Sequence, residues 1–245
     1  MGTMRYQNPD FPIPPGGLRA EVVRMMDLPR DAPRPIISLS GWRALRFPAQ
    51  LLASRLRRLV GNAETLAVSF TTVGSVEAAA ARVVDRVSRR FPGGNGGDTI
   101  EVDVVGTSMG GLVARLAAIP EDGRPRLRIA RLFTLGTPHR GAAIAQRIAV
   151  DASSRSMRGG SELLRRLDAA LPGADFKLIC YARLRDSWVD ARNTAPVGRE
   201  PFWVPGPLLL SHHTITNDRL IVCDIARRIR GEAPLATRAT PPPRW

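Results

Sequence analysis

Residues 100–118 pass from strand to sharp turn to helix, and that passage constrains the fold more than any other stretch. Ile100-Glu101-Val102-Asp103-Val104-Val105 is a β-branched run that predicts a buried strand. Gly111 to Ala118 predicts a helix ended by Pro120. Between them stands Gly106-Thr107-Ser108-Met109-Gly110, a serine flanked by glycines. Such a turn needs close backbone approach, which glycine allows, and it lifts the serine hydroxyl above the sheet edge. The helix N-terminus then points backbone N–H groups at any charge that develops on a bound carbonyl. Ser108 is therefore the candidate nucleophile, and the Met109 N–H a candidate oxyanion donor.

The same alternation recurs along the chain. Strands are expected at Pro35–Leu39, Leu66–Phe70, Arg128–Leu135 and Phe176–Tyr181, with a short one near Pro207–Leu210. Helices are expected at Pro48–Val60, Val76–Arg90 and about Asp218–Arg230. The first of these carries an apolar stripe of Leu51, Leu52, Leu56, Leu59 and Val60, with Arg55, Arg57 and Arg58 outside it. Repeated strand–helix units predict a mainly parallel sheet covered on both faces, with ligands at the carboxyl ends of the strands.

A chain of 245 residues fits one substantial domain. We expect it at 35–233, after a Pro-rich extension over 1–34 that is irregular or partly disordered, and before a loose tail over 234–245. Charged helix-like pieces at Asp151–Arg158 and Ser161–Leu171 predict a small cap within 142–175. Leu163, Leu164 and Leu167 would either form an apolar slot for an acyl chain or pack the cap onto the sheet. No stretch is long enough for a membrane span and no apolar signal core opens the chain, so a cytoplasmic home and no stable membrane insertion are expected. Cys180 and Cys223 fall in a predicted strand and a predicted helix, which favours free core thiols.

The net charge of +14 is not a nucleic-acid signature. All 36 basic residues except Lys177 are arginine, which reads as codon bias in a GC-rich genome. They are dispersed, with few aromatics among them, whereas a nucleic-acid platform wants clustering with stacking rings.

A serine hydroxyl needs an imidazole to take its proton, and that imidazole needs a carboxylate to fix its tautomer. Only His139, His212 and His213 are available. Serine enzymes built on this turn run in the order serine, acid, histidine, with the histidine after the last strand. His212 and His213 stand there, and His139 comes too early. His212 is favoured because Ile215 follows it three residues on, with His213 the alternative. Asp186, just past the Phe176–Tyr181 strand, is the favoured acid, and Asp190 its alternative. Asp218 reads as a helix cap. Gly41, in the turn after the first strand, lets the Trp42 N–H join the Met109 N–H in an oxyanion hole, while the Trp42 ring either lines an acyl pocket or covers the core edge.

Val104-Val105-Gly106-Thr107-Ser108-Met109-Gly110-Gly111-Leu112-Val113-Ala114-Arg115 and Leu135-Gly136-Thr137-Pro138-His139-Arg140-Gly141 resemble paired signatures of α/β-hydrolase-fold lipases and esterases. The subgroup is the one that includes GPI inositol-deacylase-like and bacterial lipase-like proteins, and Gly159 to Leu167 is similar to a segment found between that turn and the next strand. The resemblance covers about residues 35–230. It implies an α/β-hydrolase fold, Ser108 as nucleophile with Asp186 and His212, and Met109 and Trp42 as oxyanion donors. It also implies His139 as a structural neighbour of the site. Thr107 and Ser40 replace histidines common in the family, and no Asp-Gly motif marks the acid. The expected activity is hydrolysis of a small-molecule ester or lipid through an acyl-enzyme, with no cofactor and no metal. Acyl transfer or amide hydrolysis on the same fold is the enzymatic alternative, and a catalytically silent hydrolase-fold protein that binds a lipid or protein is the alternative of another class.

Overall fold

The computed structural model describes residues 11–13, 16–147, 150–207 and 210–243. Its centre is a six-stranded sheet in the order β2–β1–β3–β4–β5–β6, parallel at every pairing. The strands are β1 Ile36–Leu39, β2 Thr65–Val68, β3 Val102–Thr107, β4 Ile129–Leu135, β5 Lys177–Arg183 and β6 Phe202–Val204. A parallel sheet between two helical layers must be apolar on both faces. Accordingly Ile36 and Val105 join one core cluster, while their neighbours Ile37 and Val104 join the other.

The first cluster is covered by α1 Gly17–Asp27, α2 Arg46–Val60 and α8 Arg219–Ile229, which pack on one another. The second is covered by α3 Val76–Arg90, α4 Met109–Ala117 and α7 Glu162–Ala170. Two short helices, α5 Ala143–Arg147 and α6 Ala152–Ser156, lie between β4 and α7. Local signals set several of these ends. Ser75 accepts the Ala78 N–H at the start of α3, Asp151 forms a capping box with Ser154 ahead of α6, and Asp218 accepts the Leu220 and Ile221 N–H groups ahead of α8. Among the described residues no helix is long and apolar enough to cross a membrane.

The chain departs from β1 to β2 on one side and returns to β3 on the other. The loops after β1 and β3 therefore diverge and leave a crevice at the carboxyl edge, the place where open α/β sheets bind ligands.

Two sequence expectations differ from the structure. The segment before β1 is not irregular throughout: α1 occupies Gly17–Asp27. All of the prolines lie outside that range, and Leu18, Val22 and Met25 make a helical stripe against α2 and α8. Among the described residues the last strand is Phe202–Val204, paired with Tyr181–Arg183. Of the strand expected near Pro207–Leu210, Leu208 and Leu209 lie outside the described residues, and Pro207 and Leu210 are not in a strand. The strand that is described is the aromatic and β-branched triplet Phe-Trp-Val, bracketed by Pro201 and Pro205. For Leu163, Leu164 and Leu167, of the two readings left open, packing is the one observed: they are buried against the α4 side of the core.

The helical layer made by α1, α2 and α8 is tied by Arg230, the last-turn cap of α8. Its guanidinium donates to the carbonyls of Met25, Leu28, Leu59 and Val60 at 2.6–3.3 Å and to Glu232 at 2.8 Å. These carbonyls end α1 and α2, where intrahelical partners run out. Arg230→Met should therefore cost about 3 kcal/mol in urea unfolding, because it leaves buried acceptors unpaired. A loss below ~1 kcal/mol would mean that water replaces the guanidinium at little cost.

Candidate active site

Ser108 sits between β3 and α4 with φ 51° and ψ −123°, a conformation an L-residue adopts only under constraint. The constraint is close packing. A Cβ on Gly106 would stand 2.6 Å from the Gly111 Cα, so strand and helix meet backbone to backbone. Ser108 N–H donates to Leu135 O at 2.8 Å, and the Thr137 hydroxyl donates to Ser108 O at 2.8 Å. The turn after β4 thus holds the serine from behind.

His212 reaches it from the loop after β6. Its Nε2 lies 3.0 Å from Ser108 Oγ, and its Nδ1 lies 2.7 Å from Asp186 Oδ2. A carboxylate only accepts, so Nδ1 carries the proton and Nε2 is free to accept from the serine hydroxyl. Asp186, in the loop after β5, is itself fixed by the N–H groups of Trp188 at 2.9 Å and Val189 at 3.0 Å on its other oxygen. All three side chains are buried or nearly so.

The alternatives are placed elsewhere. His213 is exposed and meets the Trp188 ring edge-on; partial burial, then the neighbouring His212, push its pKa below the ordinary range. Asp190 accepts the Arg192 N–H and pairs with the Arg192 guanidinium at 2.8 Å. That bond holds its pKa down even against partial burial. Asp218 caps α8 and binds Arg183.

Ser108 and His212 open on a cavity of about 300 Å³ walled by Gly41, Trp42, Ile144, Met157, Trp188 and Val189. A Cβ on Gly41 would stand 3.2 Å from the Ser108 Cβ, so this glycine is what lets the loop after β1 close on the serine. The Trp42 ring both lines the cavity and packs against the core, and its Nε1 donates to Asp151 Oδ2 at 3.0 Å. Burial opposes the charge on Asp151, but bonds from Ser154 and Trp42 and the nearby Arg43 outweigh it and lower its pKa. The link from Trp42 to Asp151 was not legible in the sequence, because the two are far apart in the chain. Trp188, a wall of the cavity, had one signal, its place two residues after Asp186.

The PGAP1-like alpha/beta domain family matches residues 69–155, which hold both glycine-rich motifs. No curated protein matches the chain by sequence. Among solved structures, the lipase BlEst2 of Bacillus licheniformis in its propeptide form is similar with a TM-score of 0.58 at 14% identity, over 88% of this chain and 54% of that one. The chain therefore spans about half the length of that lipase. The product of the lin2722 gene of Listeria innocua is similar with a TM-score of 0.52 at 11% identity, over 79% of this chain and 92% of that one. A putative cell surface hydrolase of Lactobacillus plantarum gives 0.50 at 12% identity, over 83% and 94%. The fold is the α/β-hydrolase fold. The family match covers about a third of the chain, and the solved structures share its fold.

Beneath the site, His139 is wholly buried. Arg115 of α4 donates to its Nδ1 at 2.9 Å, so Nε2 carries the proton and faces Thr134 Oγ1 at 3.1 Å. The same guanidinium donates to Leu167 O and Asp168 of α7, which joins the helix behind the serine to the segment that follows α6. Burial first, then the charges of Arg115, Arg140 and Arg199, push the His139 pKa well below 6.5. The unfolded chain therefore binds a proton below pH ~6.5 that the folded chain refuses, and stability falls as the pH drops through that point. Between pH 6.5 and 5 this group should lower stability by at most about 1.4 kcal/mol per pH unit, and His139→Gln should flatten that slope. An equal slope in the variant, measured by urea unfolding across that range, would assign the effect to other groups.

Proposed function

We propose that the protein is a serine carboxylic-ester hydrolase that acts through an acyl-enzyme on Ser108. The observation that carries this reading is the unbroken line from Ser108 Oγ through His212 to Asp186, at 3.0 and 2.7 Å, opening on a cavity. Lipase and hydrolase names among the structural neighbours fit ester hydrolysis as the general activity.

As the Ser108 oxygen attacks the ester carbonyl, His212 Nε2 takes its proton, and Asp186 stabilises the imidazolium that results. The tetrahedral oxyanion is received by the N–H groups of Met109 and Trp42. Met109 opens α4 and so has no acceptor within the helix, and among the described residues neither N–H finds a backbone acceptor. Collapse breaks the bond to the alkoxide, which leaves with the proton from His212. Water, deprotonated by His212, then cleaves the acyl-serine and restores the free hydroxyl.

A fluorophosphonate probe should label the protein once, and Ser108→Ala should abolish labelling and lower short-chain ester turnover by at least a thousandfold, about 4 kcal/mol of transition-state stabilisation. Turnover that survives in the variant would end the reading. Recovery of an acyl-alcohol or acyl-amine product in the presence of competing nucleophiles, at the expense of free acid, would turn it into acyl transfer.

The cavity is at the small end of ligand pockets, and its walls are mainly apolar. Short to medium acyl esters should therefore be preferred. Across p-nitrophenyl esters of increasing length, kcat/KM should rise and then fall before the long chains. A continued rise, or strong activation by an oil–water interface on long chains, would contradict this.

A further inference from the structure

Trp188 stands outside the Ser108–His212–Asp186 line, yet both of its parts bear on it. Its main chain donates to Asp186 Oδ1, the oxygen turned away from His212. Its indole lies nearly parallel to the His212 imidazole, with ring centroids 5.3 Å apart and 15° between planes. The two in-line hydrogen bonds by themselves leave the imidazole free to tilt out of plane about the line joining them. A flat indole over one face removes that freedom.

The stacking also has an electrostatic side. An indole face is electron-rich and attracts a cation within about 6 Å of the ring. His212 is neutral before it takes the serine proton and cationic after it, so the attraction acts mainly on the protonated form. We infer that Trp188 is a positioning residue: it holds His212 in line with Ser108 and Asp186 and selectively stabilises the imidazolium that ester cleavage requires. This rests on the roles given to Ser108 and His212 above.

Other groups face His212 as well, and one of them, His213, also meets the Trp188 ring edge-on. The Asp186 carboxylate, from the β5 loop, favours its proton; His213, from its own loop, disfavours it when charged. Ser108, from the elbow, contributes a neutral hydroxyl, and the Gly136 turn after β4 presents only backbone there. His213 is read in the same titration, so a Trp188 change that acts through its ring shows there, and a shift confined to His212 reports on the indole.

The experiment is an NMR titration of the imidazole nitrogens beside a pH profile of p-nitrophenyl ester turnover. Only three histidines contribute signals, and buried His139 does not titrate near neutrality. Trp188→Leu keeps the imidazole covered but removes the π face. The His212 titration should move down by about half to one pH unit, a three- to tenfold loss of proton affinity. The acid limb of kcat/KM should move with it, and kcat should fall about tenfold. Trp188→Phe, which restores a smaller π face, should recover part of both, and urea unfolding of each variant checks the fold. A purely structural role would lower kcat without moving the titration. An unmoved or raised His212 titration in folded Trp188→Leu, or no recovery in Trp188→Phe, would overturn the inference. A wild-type protein with no ester turnover would sink the hydrolase reading alone, because the NMR titration still tests the stacking.

Discussion

The backbone of Ser108 is the constraint on which the rest depends. A residue held at φ 51° costs on the order of 1–3 kcal/mol, and it persists only where its surroundings leave no alternative. Those surroundings are unusually complete. Every residue of α4 is buried, Arg115 included, so the helix has no solvent side toward which it could relax. Gly106 allows it to touch β3, and Gly41 allows the β1 loop to reach the serine from the other side. The central place of β3, between β1 and β4, makes this contact the axis of the sheet.

Around the fixed serine, Trp42, Asp186 and His212 arrive from beyond the carboxyl ends of β1, β5 and β6. Each arrives on a loop, and each loop is pinned by polar bonds. Asp186 is anchored by the N–H groups of Trp188 and Val189, and the turn after β4 is anchored by Thr137 on the Ser108 carbonyl. Buried charge does the same work farther out. Arg115 bonds His139, Leu167 O and Asp168, and Asp224 at the far end binds the Tyr181 hydroxyl at 2.5 Å, Arg228, and the Leu235 and Ala236 N–H groups. Buried polar groups satisfied in this way specify one arrangement, since breaking any bond leaves a costly orphan.

Local pattern and tertiary packing divided the information unevenly. The helix Val76–Arg90 was legible to the residue, because Ser75 caps it and Pro92 stops it. The elbow was legible because its glycines, strand and helix are contiguous. By contrast α1 was hidden among prolines that turned out to bound it, and β6 was hidden by a leucine run more apolar than the true strand. A strand of three residues has too little pattern of its own; its pairing with Tyr181–Arg183 creates it.

By itself, then, the sequence determined the class of fold, the position of the serine and the short set of residues that could serve it, since these depend on periodicity and on steric needs within a few positions. Only the tertiary structure decided among partners: it put His212 and not His213 beside Ser108, turned Asp190 toward Arg192, laid Trp188 over the imidazole and joined Trp42 to Asp151. The physical reason is distance along the chain. A hydrogen bond between residues 104 positions apart leaves no periodic trace in either neighbourhood, and two adjacent histidines in one loop differ only in the direction in which folding points them.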